Sequence, residues 1–211
     1  MTNTAAAGVA LGYALLFGMF FLMSFAQGHG FEELPSTAGL HLAIIPVAIG
    51  VASPFSHIVK DKVGGLWVSL VGMTLSFMAV TLLVSTLGRL ENHLLVDGIS
   101  YVLFGAGLGL FIAPNNQVAI TAAPPALSSP AGSLLNLMRA LGSSLGVASC
   151  ATLLTLNLKS PHGAPRTWLS SSGADMLAAV RNSLPLLWCI IVLAWLAAWY
   201  AARKLACEGS R

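Results

Sequence analysis

Apolar residues run through this chain in long blocks, each closed by a short polar segment. The first, from about Ala5 to Ala26, carries no charge and ends at Gln27-Gly28-His29-Gly30, where Glu32, Glu33 and Pro35 follow. A second, about Ala38 to Val59, contains Pro46 and Pro54 and stops at Lys60-Asp61-Lys62-Val63-Gly64-Gly65. The third, about Leu66 to Leu87, gives way at Gly88-Arg89 to a short loop holding Glu91, Asn92, His93 and Asp97. The fourth, about Gly98 to Ala122, is closed by Pro124-Pro125 and Ser128-Ser129-Pro130. The fifth, about Ala131 to Leu158, precedes a long loop rich in Ser, Pro and Gly, and the sixth runs from about Ser183 to Ala202 before Arg203-Lys204. Each block matches the roughly 20 apolar residues that cross a bilayer as a helix. Prolines inside such helices are tolerated where neighbouring helices satisfy the freed backbone groups. The pattern predicts an all-α integral membrane protein, a single domain over 1–211 with six transmembrane helices.

Composition narrows the picture further. Hydrophobic residues make up 56% of the 211 and charged residues 8%, against about 25% charged in soluble domains. That excludes a water-soluble fold. The net charge of +3 comes from scattered Lys and Arg that form no patch or stripe, so nucleic acid is not an expected partner and the lipid bilayer is. Six crossings place both termini on one side. Lys60, Lys62, Arg139, Arg203, Lys204 and Arg211 fall on that side, and Arg89, Lys159, Arg166 and Arg181 on the other. The excess, with two lysines in one very short loop, predicts cytoplasmic termini. Cys150, Cys189 and Cys207 are too scattered for a disulfide framework or a metal site. The N-terminus lacks a basic n-region and a cleavage site, so the first apolar block is expected to stay in the mature protein.

The polar residues inside the blocks are the candidate chemistry. Asn115, Asn116 and Gln117 lie near the end of block four, and Asn136 and Arg139 near the start of block five, at the same predicted depth. The three-residue spacing puts Asn136 and Arg139 on one helix face. Polar groups at membrane depth are costly unless they face partners or a water-filled cavity, so this set is expected either to line a shared polar pocket or to bond between helices, with Arg139 snorkelling. Gly105 with Gly109, and Gly142 with Gly146, form small-xxx-small pairs that let helix backbones approach closely. No carboxylate stands in the middle of a block. His41 and His57, near the two ends of block two, are the weak candidates for proton handling, because imidazole is the side chain type whose charge changes around neutral pH, against a plain packing or interfacial role. No nucleophile motif, phosphate-binding glycine loop, paired carboxylates or metal-ligand spacing occurs, so neither enzyme, cofactor nor metal is expected.

Three stretches carry a resemblance. Phe17-Gly-Met-Phe-Phe-Leu22, continuing through Gly28-His-Gly-Phe-Glu-Glu-Leu-Pro-Ser-Thr-Ala-Gly39 to Pro46, resembles the start of the C-terminal half of a major facilitator transporter. Gly105-Ala-Gly-Leu-Gly-Leu-Phe-Ile-Ala-Pro-Asn-Asn116, followed by Ala131-Gly-Ser-Leu-Leu-Asn-Leu-Met-Arg-Ala-Leu-Gly142 and Gly146, is similar to fourteen-helix drug/proton antiporters of the EmrB/QacA type. Asp61, Lys62 and Gly64 resemble the cytoplasmic Asp-Arg-x-Gly loop motif of the superfamily, although His57 stands at its leading glycine and Gly65 and Leu66 at its basic pair. The resemblance implies two inverted three-helix repeats forming half of a major facilitator fold. It also implies efflux of small organic or drug-like compounds by proton antiport across a bacterial inner membrane, with a second copy or a separate N-terminal half completing the path. The competing expectation is a truncated, non-transporting protein or a structural partner of a membrane complex. A membrane enzyme is a third, resting only on polar residues at depth.

Overall fold

In the computed structural model, residues 2–88, 93–121, 128–158 and 171–208 are described, though not every side chain among them. Seven α-helices follow in order: α1 (Thr2–Phe25), α2 (Pro35–Val63), α3 (Gly65–Thr86), α4 (His93–Thr121), α5 (Ser128–Asn157), α6 (Gly173–Ser183) and α7 (Pro185–Glu208). A turn of π-helix, Ala26–Gly30, extends α1. Among the described residues, six stretches are long and apolar enough to cross a membrane, the last running through α6 into α7. The described residues contain helices and no strand, as a bilayer demands of a chain that satisfies its backbone within each segment.

α1 and α4 form the centre. α1 packs against α5 and α7, α4 against α2 and α3, and the two groups meet where α1 touches α4 and α3 touches α7. Exchanging α1 with α4, α2 with α5 and α3 with α7 maps these pairings onto one another. Because three crossings separate each pair, the exchanged helices run in opposite directions, which is the pairing that inverted three-helix repeats require. The core stripe follows helical spacing on both central helices: Leu15, Met19, Leu22, Met23 and Ala26 on α1, and Tyr101, Phe104, Leu108 and Phe111 on α4. Apolar residues cover the outside as well. Leu40, Val47, Val51, Phe55 and Ile58 of α2 all point away from the bundle.

Glycine sets the closest crossings. A Cβ at Gly105 would come within 2.5 Å of the Ile45 carbonyl oxygen, and one at Gly109 within 2.9 Å of that of Ile49. Gly142 and Gly146 lie still closer to the carbonyls of Ala10 and Ala14. α4 therefore rides on α2, and α5 on α1, backbone to backbone. The segment expected as one long loop after Leu158 holds helix α6, capped by Ser172, whose hydroxyl accepts the Asp175 N–H at 3.2 Å. Its low overall apolarity hides it from a membrane-length reading. Met176, Ala179, Val180 and Ser183 nevertheless give it one buried face.

Candidate functional site

Polar groups gather at the two ends of the bundle. At the end holding the start of α1, Lys60 of α2 donates through Nζ to Gln117 Oε1 of α4 at 2.7 Å. Its stem packs on Gly65, and Gly64 joins α2 to α3 with φ of 91°, a backbone that glycine adopts freely. Gln117 is thus tied to the short loop between those helices. The side chains of Asp61, Lys62 and His57 lie outside the described residues. Asn115 donates from Nδ2 to the Phe111 carbonyl at 2.7 Å, within the turn that Pro114 interrupts, and its oxygen faces Gly8 of α1. Asn116 keeps a buried Oδ1 without a partner.

Asn136 and Arg139 come together on α5 at 3.4 Å, with the guanidinium 5.5 Å over the ring of Tyr13 on α1. Among the described residues no hydrogen bond joins them to Asn115, Asn116 or Gln117. The polar set at this depth therefore divides into a patch over α1 and a link between α2 and α4.

The opposite end holds a cluster that no single block announces. Asp97 and Tyr101, one turn apart on α4, are buried, as is Gln27 in the π-helical turn. Gln27 donates from Nε2 to the Tyr101 hydroxyl at 2.9 Å. After that turn the chain reverses through Glu32 in the left-handed region, with φ of 54°, a strained choice for a residue with a side chain. The Phe31 N–H reaches Ala26 O at 2.9 Å and the Glu33 N–H reaches Gln27 O at 3.0 Å. This reversal delivers the Glu33 carboxylate to His41, Oε2 to Nδ1 at 3.0 Å. Gln27, Glu33, His41, Asp97 and Tyr101, with Phe31, Ile44 and Gly98, enclose a cavity with room for about one water. Of this cluster the polar reading singled out only His41. The usable signal was the spacing of Asp97, Tyr101, Phe104, Leu108 and Phe111, which puts the carboxylate on the buried stripe of α4.

No family model matches the chain. It is 28% identical over 124 residues to the riboflavin transporter RibZ of Clostridioides difficile, covering 59% of this chain and 27% of that one. The multidrug resistance protein Stp of Mycobacterium tuberculosis is 27% identical over 131 residues, 61% of this chain and 24% of the relative. The tetracenomycin C resistance and export protein of Streptomyces glaucescens is 28% identical over 147 residues, 69% and 27%. The chain resembles transporters of the major facilitator type. It spans about a quarter of the length of these relatives. With six apolar helices of spanning length, it is an integral membrane protein in contact with lipid. Its relatives are transport and resistance proteins rather than enzymes.

Proposed function

We propose that this chain forms one wall of a major facilitator transporter that exports small organic, drug-like compounds in exchange for protons. The other wall comes from a second copy or from an N-terminal half. The observation that carries the reading is α5. Its buried face holds Leu135, Gly142, Gly146, Cys150 and Leu154, while its outward side carries a strip of short residues, Asn136, Ala140, Ser144, Ala148, Thr152 and Thr155, beside the exposed leucines Leu134, Leu137, Leu141, Leu145 and Leu156. Thr152 and Thr155 donate to carbonyls of their own helix. Along that strip the side chains are short and the threonine hydroxyls are bonded within the helix, which leaves room for another helix to approach closely beside the leucines. Asn136 and Arg139 stand at one end of it. They line or brace the path there, in a membrane of bacterial inner type with the termini cytoplasmic, while Asn115, Asn116 and Gln117 act at the same end through α4. Asp61, Lys62 and Gly64 serve as the loop that holds α2 against α3 in one conformation. Rocking of one wall against the other gives alternating access.

The test is export of a fluorescent amphipathic cation from a transporter-deficient strain that expresses the chain with a candidate N-terminal half. Arg139→Gln and Asn136→Ala are expected to lower export about tenfold, the effect of about 1.4 kcal/mol on a rate-limiting state. Export that matches the unsubstituted pair in both variants removes these residues from the path. Export equal to empty vector with every partner half supports the non-transporting alternative.

A further inference from the structure

The Asp97 cavity is built for a group with two protonation states. Asp97 keeps 4% of its exposure, Gln27 3% and Tyr101 1%. The tyrosine hydroxyl takes the Gln27 amide donor, but Gln27 Oε1 and Asp97 Oδ1 have no donor of their own. Two buried acceptor oxygens therefore line one polar cavity of water size. An ionised carboxylate only accepts hydrogen bonds, and a protonated one also donates. With a proton on Asp97 the cavity gains the donor that its acceptors lack. Without it, the unmet acceptors fall to a single trapped water, since unpaired polar groups in a buried site are costly.

The cavity also has an approach. Glu33 and His41 stand beside it as a hydrogen-bonded couple, with side chains 14% and 26% exposed. Among the described residues, the titratable groups that face Asp97 are Glu33 from the linker before α2, His41 from α2 and Tyr101 from its own helix, while the π-helical turn contributes the neutral Gln27. We propose that Asp97 is a proton-binding site of the bundle, filled and emptied through the cavity water from the solvent at that end, with the Glu33–His41 pair controlling access. One O–H bond forms on Asp97 as one breaks on the cavity water, which takes a proton from the solvent hydronium behind it and so remains water, and release reverses both transfers. That this proton is the one exchanged for substrate rests on the transporter reading above. Proton occupancy itself does not.

The test is infrared difference spectroscopy of the full chain in lipid nanodiscs during pH steps, with carbon-13 aspartate. The label restricts the shifted carboxyl signal to Asp61, Asp97 and Asp175. A protonated-carboxyl band that appears on acidification and disappears in Asp97→Asn is expected. His41→Gln, which keeps the carboxyl but removes its facing imidazole, is expected to move the pH at which the band appears, while Asp175→Asn on α6 leaves that pH unchanged. A spectrum from which Asp97→Asn removes no protonated-carboxyl band, so that the whole signal belongs to Asp61 and Asp175, overturns the proposal. So does a band whose pH response is the same with and without His41, a comparison that holds even if Asp97→Asn fails to fold. Export is not part of the measurement, so the failure of the transporter reading is recognised separately.

Discussion

At the scale of single residues, Arg139 shows how a charge is kept at membrane depth. Its guanidinium has no carboxylate partner among the described residues. It lies 5.5 Å over the Tyr13 ring and near the Asn136 oxygen, with Nε buried and unpaired. A cation over an aromatic face contributes about 0.5–2 kcal/mol, more as water is excluded. Tyr13→Phe preserves the face and is expected to leave stability unchanged, whereas Tyr13→Leu removes it and is expected to cost about 1 kcal/mol. Reversible unfolding in mixed micelles measures both. If Tyr13→Leu unfolds as the native chain does, the ring is not holding the arginine. The pairing of Arg139 with Asn136 was legible in their three-residue spacing. Its stacking on Tyr13 was not, because which residue of α1 lies under α5 is fixed by a crossing that no local pattern encodes.

At the scale of helices, the crossings are set by backbone contact. Where lipid gives no hydrophobic drive between helices, close packing through small residues is the main attraction. The carbonyls of Ala10 and Ala14 leave no room for a Cβ at Gly142 or Gly146, while nothing lies within 4 Å of the position a Cβ would take at Gly50 on the outside of α2. Gly142→Ala is expected to destabilise the bundle by about 1–3 kcal/mol, the usual cost of overpacking. Gly50→Ala is expected to be neutral or slightly stabilising, since alanine favours the helix. Equal melting temperatures for the two variants would show that α1 and α5 separate easily. Six apolar runs and two glycine pairs were plain in the sequence because membrane length and small-residue spacing are local signals. Helix α6 and the Asp97 cavity were not. Their polar residues come from the ends of several elements, and the meeting of Glu33 with His41 depends on the left-handed turn at Glu32.

For the whole molecule, the outward sides of α5 and α7 both expose large apolar residues, but α5 adds a strip of short ones. α7 presents Val192, Leu193, Leu196 and Tyr200, large side chains that lipid accepts. α5 presents Leu137, Leu141 and Leu145 and, beside them, the short side chains of Ala140, Ser144, Ala148 and Thr152, with Asn136 at one end. If a second wall of the transporter covers α5 and lipid covers α7, a bulky apolar residue has opposite consequences at the two places. Ala148→Trp is expected to cut export about tenfold, equivalent to about 1.4 kcal/mol of lost association or closure. Because the site is open in this bundle, the melting temperature of the chain alone is expected to hold. Leu193→Trp is expected to change neither quantity. Export in the strain described above and thermal melting in detergent give the comparison. Identical export by the two variants would place α5 against lipid, and the wall of any transport path would then have to be sought on another face.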